Sequence, residues 1–251
     1  MSAPCKFKTA LRRPPRLLLL PVLAAGVAIL VSAQRLPWHP KQSEALAGVT
    51  RVLLDTPTVH VEKWTTTSGY DAEGTADYVR RSICGTMDQI LEERQVEVED
   101  YMMCLGESEA AAARREALTA AGARFRELSN EWVGTHRTEE KLAAFHLGEE
   151  LAEIKKLEVD ALIVVCANGV LVSKGERALS AMGAISGGAG GANLILHIGV
   201  IRPRSGELAF FTENVISGDF LKHPERLENS VAKALGAVFG RNGAAQKESK
   251  P

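Results

Sequence analysis

Apolar residues in this chain recur with two periods, and each period marks its own stretches. Tyr78, Val79, Ile83, Met87, Ile90 and Leu91 return at three- and four-residue steps, which predicts a helix over 75–94. Leu118, Phe125, Leu128 and Trp132 mark one face of an Ala-, Arg- and Glu-rich helix over 107–132, stopped by Gly134. Thr138 with Glu139 and Glu140 reads as a cap and acidic first turn. Leu142, Phe145, Leu151 and Ile154 carry that helix to about Leu157, with Gly148 its weak point. Leu227, Val231, Leu235 and Val238 form the stripe of a closing helix over 223–239.

The strand signals are shorter. Residues 49–63 are rich in Val and Leu but interrupted by Pro57, which predicts two short strands or one kinked edge strand. Val96 and Val98 alternate with acidic residues like an edge strand, while Tyr101, Met102 and Met103 fit the start of another element. Ala161 to Cys166 is continuously apolar, the pattern of a central strand covered on both faces. Residues 193–201 and 207–216 flank the turn signal Pro203-Arg204-Ser205-Gly206 and predict a hairpin. Residues 65–74 and the glycine-rich 169–192 read as loops, the latter with a short helical piece. The expectation is one α/β domain over 48–240, its mixed sheet containing one C-terminal hairpin and covered by helices.

Residues 1–33 follow a different rule. Lys6, Lys8, Arg12, Arg13 and Arg16 precede an apolar run from Leu17 to Val31, and Val31-Ser32-Ala33 ends it with small residues. This is the pattern of an export signal, with cleavage expected between Ala33 and Gln34. The alternative is an uncleaved hydrophobic helix that anchors the domain. Spanning about 30 Å of hydrocarbon takes about 20 apolar residues, more than this run supplies, whereas Arg35 and Trp38 suit an interfacial belt. Both outcomes place the domain on the far side of a bacterial cytoplasmic membrane, periplasmic or anchored and facing the periplasm. Residues 34–47, with Pro37 and Pro40, form a linker, and 241–251 a polar, disordered tail. Cys5 precedes the apolar run, so the position a lipid anchor requires holds no Cys.

Charge narrows the partners. A net charge of −1 over 251 residues argues against nucleic acid. Beyond the leader, Cys84, Cys104 and Cys166 remain, an odd number that permits at most one internal disulfide, Cys84–Cys104 being the pair to test. Cys166, at the end of an apolar strand, reads as a small buried hydrophobe.

Candidate chemistry is sparse. The stretch 183–191 is rich in glycine, but no Gly-Lys-Ser/Thr follows it and it precedes a strand, so neither phosphate-loop pattern holds. Gly-x-Ser-x-Gly is absent around Ser186. His146 and Glu149 stand one turn apart on the expected helix and form a minimal metal pair that lacks further ligands. His60 and His197, on expected strands, read as satisfied or half-buried imidazoles. Ser173, Gly175 and Arg177 form a small polar patch after the central strand and are, with His146 and Glu149, the ligand-binding candidates. No catalytic residue, metal site or cofactor is expected.

Several segments resemble a group of bacterial envelope proteins. Val52 to Val61 resembles their first strand. Phe145-His146-Leu147-Gly148 followed by Ala161 to Val165 resembles their "Phe, x, Leu, Gly" segment and next strand. Ser173, Gly175, Arg177 and Ala178 resemble their Ser/Gly/Arg patch, and the hairpin 198–211 with Ser205-Gly206-Glu207 their "Thr-Gly-Glu" turn. Gly218-Asp219 leads into the last helix as it does there. The group consists largely of uncharacterised lipoproteins. Its fold is similar to the periplasmic domain of the curli-secretion lipoprotein and the N-terminal domain of the Tol translocation protein. The likeness covers most of 49–240 and is weakest over 95–140. The chain departs from it in lacking a lipidation Cys, in Arg202-Pro203-Arg204 where an acidic turn is usual, and in Phe210-Phe211 where Trp is common. The resemblance implies a non-enzymatic envelope protein that works through contacts with envelope proteins or copies of itself. A ligand-binding protein or enzyme using the 173–191 loop is the alternative reading.

Overall fold

The computed structural model describes Leu46, 48–64, 69–71, 73–99, 108–133, 139–172, 193–217 and 220–239. The elements are β1 (Arg51–Leu54), β2 (Thr58–Trp64), β3 (Gly69–Asp71), α1 (Glu73–Glu93), β4 (Glu97–Glu99), α2 (Glu109–Val133), α3 (Glu139–Ala143), β5 (Ala161–Val172), β6 (Asn193–Ile201), β7 (Leu208–Ser217) and α4 (Pro224–Phe239). The strands form one mixed sheet of seven.

β5 is its spine. One edge of β5 carries β1 and then β2, both parallel to it, and the other carries β6, antiparallel, with β7 beyond. β4 extends the sheet outside β1, and β3 outside β2. Leu54 pairs with Ile163 and Thr58 with Cys166, so Asp55, Thr56 and Pro57 stand opposite only Val164 and Val165. This extra residue is a bulge, and it resolves the Pro57 ambiguity: one bent line of chain is read as two strands. Asp160 holds the line at its start, accepting hydrogen bonds from the Thr50 and Arg51 amides at 2.9 and 3.0 Å and from the Thr50 hydroxyl at 3.1 Å.

Side chains alternate along β5 and divide the interior in two. Ala161, Ile163, Val165 and Ala167 face α1 and α4, against Val79, Ile83, Met87, Leu91, Leu227, Val231 and Leu235. Leu162, Val164 and Cys166 face the opposite way, against Leu118, Ala121, Phe125 and Leu128 of α2 and the chain between α3 and β5. The central strand is thus buried on both faces, as its unbroken apolar run requires. Local chemistry sets the helix ends. The Ser108 hydroxyl accepts from the Ala111 amide at 3.2 Å and caps α2. Gln95 closes α1 in a left-handed conformation, with the Val96 amide returning to the Leu91 carbonyl at 2.9 Å.

Three expectations need correction. The helix expected over 138–157 ends at Ala143 and gives way to two 3-10 turns, Glu149–Leu151 and Ile154–Leu157. The reason is tertiary: His146 bridges Glu207, and the Leu147 amide donates to the Gly206 carbonyl at 2.9 Å, so this backbone bonds to the hairpin turn. β5 runs on to Val172, so 169–172 is strand rather than loop, and Gly169 lets Leu194 and Val61 close over it. Within the expected 65–74 loop, Gly69–Asp71 pairs with β2. Residues 1–33, the 34–45 part of the linker and the 241–251 tail lie outside the described residues.

Candidate functional site

The sheet face under α2 gathers the reactive side chains. Thr58, Cys166, His197 and Glu213 occupy one row across β2, β5, β6 and β7. Cys166 is 1 % exposed and His197 is fully buried. The His197 ring stacks on Phe211, centroids 5.4 Å apart and planes 24° apart, and its Nε2 lies 3.3 Å from a Glu213 carboxylate oxygen. Its Nδ1 has no hydrogen-bond partner. Phe125, Phe145 and Trp132 close the aromatic group around Phe211. Gly199 is required here because a side chain on it would meet the Phe125 ring.

The row contains the residue types of a nucleophile and its base, but the electrostatics oppose that use. Burial pushes the Cys166 thiol up, outweighing the hydrogen bonds from Ser129 and Asn168. The thiolate is the nucleophilic form, so Cys166 is held in its inert state. The Asn168 amide lies 3.7 Å from Cys166 Sγ and 3.4 Å from Asn130 Oδ1. Cys166, as its sequence position suggests, fills the core.

Asp55 is the group that sequence reasoning missed. It sits in the bulge, 9 % exposed, against the backbone of α2. A Cβ placed on Gly122 would lie 2.6 Å from Asp55 Oδ2, so the helix approaches the carboxyl only because residue 122 is glycine. Burial raises the Asp55 carboxyl to about 7, with the Thr56 amide acting weakly in the other direction. In the sequence Asp55 stands unmarked in a β-rich stretch interrupted by Pro57; only the Gly122 approach reveals the burial. Asp160 behaves differently: burial pushes it up, but the bonds from Thr50 and Arg51 prevail and hold it below the usual carboxylate range.

Of the five ligand-binding candidates from the sequence, the structure describes His146 and Glu149. Ser173, Gly175 and Arg177 lie outside the described residues, as do Ala33, Gln34 and Cys104. His146 and Glu149 are both exposed, His146 on its bridge to Glu207 and Glu149 opening a 3-10 turn, so no single helix aligns them. Among the described residues no group of three or more His, Cys, Asp or Glu is placed to hold a metal. Cys84 is a free, partly buried thiol on α1. A shallow groove of about 220 Å³ lies between α2 and α3, with Phe145 and Leu128 at its base. The ion pairs Lys141–Glu131 at 3.5 Å and Arg124–Glu127 at 2.7 Å occupy its rim. Among the described residues no helix is long and apolar enough to cross a membrane.

The described chain is therefore a mixed α/β domain with two apolar layers and its polar groups sealed beneath α2. No protein-family model matches the chain, and no curated protein matches it. Solved structures align with it at low similarity. A PelC dodecamer from Paraburkholderia phytofirmans shares 9 % identity, with 76 % of this chain and 88 % of that one covered and a TM-score of 0.32. The lipoprotein GNA1162 from Neisseria meningitidis shares 10 % over 74 % and 99 %, with a TM-score of 0.30. The LpoB C-terminal domain from Salmonella enterica shares 6 % over 67 % and 82 %, with a TM-score of 0.28.

Proposed function

We propose that this is an exported bacterial envelope protein whose α/β domain works outside the cytoplasmic membrane by protein contacts rather than by catalysis. The observation that carries this reading is the order of residues 1–33: basic residues, an apolar run and Val31-Ser32-Ala33 ahead of the domain. The resemblance, read from the sequence, of most of 49–240 to a group of bacterial envelope lipoproteins supports it. So does the placement of Cys166, His197 and Glu213, which is that of a core and offers a substrate no approach.

The test is made in intact bacteria producing the full chain. Protease added to spheroplasts degrades an exported domain and spares a cytoplasmic one, and chemical crosslinking before lysis captures envelope partners or multimers. The mass of the mature N-terminus separates the two fates of the leader. A start at Gln34 means release, and an intact Met1 region means anchorage. Protection from protease, or a monomer that crosslinks to nothing, defeats the proposal.

A further inference from the structure

The two ends of the sheet differ. β3 and β4, at one side, are three residues each, while β7, at the other, is ten residues long and among the described strands pairs with β6 alone. A sheet edge presents unpaired N–H and C=O groups, and proteins that do not use one blunt it with Lys, Pro or a short strand. β7 carries none of these: its sequence is Leu-Ala-Phe-Phe-Thr-Glu-Asn-Val-Ile-Ser, and its single charge, Glu213, points inward to His197. The chain just ahead of β7 is already engaged, because His146 bridges Glu207 and Leu147 bonds to Gly206. The open part lies beyond it, toward Ser217. There stands Val215, 58 % exposed, the most exposed large apolar side chain among the described residues, opposite the half-buried Ile195.

We propose that the C-terminal half of β7 is a self-pairing edge, on which a second copy of this chain adds its own β7 antiparallel, centred on Val215. Charge and symmetry select a second copy. A two-fold axis at Val215 sets Val215 against itself, Asn214 against Ile216 and Glu213 against Ser217, so no like charges meet. An axis at Glu213 would oppose two carboxylates. Antiparallel pairing of identical edges is self-complementary and closes as a dimer, and the paired valines cover the apolar surface each copy exposes. The short ladder buries less than the roughly 1,200 Å² of a stable interface, so the pairing joins copies that a shared membrane or assembly already concentrates. The inference thus rests on the assembly reading above and names where the copies meet.

Paired residues at such an axis have Cα atoms about 4.5–5.5 Å apart, within disulfide reach. In the full chain produced in bacteria, Val215→Cys should give a dimer on non-reducing gels that reductant abolishes. The native chain and His60→Cys, an exposed position on the far side of the sheet, should not. Val215→Lys should lose crosslinked dimer while keeping the native circular dichroism spectrum. A folded Val215→Cys chain without the dimer overturns the inference, as does a disulfide formed only with a different protein, or a Val215→Lys chain that crosslinks as before. Multimers of the unmodified chain without a Val215→Cys dimer would remove this inference alone. Absence of both multimers and partners would remove the assembly reading as well.

Discussion

Asp55 sets a pH dependence that the net charge does not suggest. Its carboxyl titrates near 7 when folded and near 3.8 as an ordinary Asp. Between these values the folded state keeps a proton that the unfolded state has released. Stability therefore falls as pH rises from about 4 to about 7, by about 4 kcal/mol in all, and is level above that. Asp55→Asn, which cannot ionise, should flatten this slope and be the more stable form at pH 8, read as urea midpoints from pH 4 to 8. An unchanged slope in Asp55→Asn would place the burial of Asp55 in error. Gly122 supplies a second test at the same contact. Gly122→Ala gains about 1 kcal/mol of helix propensity but sets a Cβ 2.6 Å from Asp55 Oδ2. Overpacking of that kind costs about 1–3 kcal/mol, so the net change should be destabilising. In an Asp55→Ala background the obstacle is gone and the sign should reverse, which a double-mutant cycle in urea resolves. The sequence displayed neither residue as special. Asp-Thr-Pro and Ala-Gly-Ala are unremarkable alone, and only the pairing of β1 with β5 and the approach of α2 bring them together.

Elements that interact mainly along their own length were legible, and those shaped by distant chain were not. α1, α2 and α4 came directly from their apolar stripes, and β6 from its place before the Pro203-Arg204-Ser205-Gly206 turn signal. The segment after α3 was misread because Leu142, Phe145, Leu151 and Ile154 are all buried, as a helix stripe should be, but in a chain that unwinds after Ala143. The hairpin turn takes that backbone instead. Gly206 sits at φ +80°, where L side chains are strained, and a side chain there would collide with the Leu147 carbonyl. Gly206→Ala should cost at least about 2 kcal/mol, loosen both the turn and the 144–148 segment, and appear as faster amide exchange at Leu147 and Glu207. Exchange rates unchanged at Leu147 would mean that the bridge does not hold this segment. The brief β3 strand carries too few residues for any period to register, whereas β4 showed in the alternation of Val96 and Val98 with acidic residues.

At the scale of the molecule, the fold class and the two-sided burial of β5 could be read from sequence, while the sealed character of the Cys166 row could not. A Cys and a His on separate strands give no sign that they will be neighbours; their apposition depends on the register of β5 with β6. The His146, Glu149 and Arg177 candidates were chosen for side-chain type, and for the two that the structure describes, type did not bring convergence. For the domain as a whole the informative border among the described residues is the β7 edge of the sheet.

The central position of β5 also sets a timetable. β1 and β2 are the first strands of the domain to leave a ribosome, and before β5 follows they can pair only with the three-residue β4 and β3, while the Thr50–Asp160 bond spans 110 residues. Contacts so distant in sequence form slowly, because a long loop must close before they contribute. On the proposal that residues 1–33 are an export leader, this delay is useful: through most of its synthesis the domain lacks its spine and stays loose enough to be threaded, and it locks only once β5 has crossed.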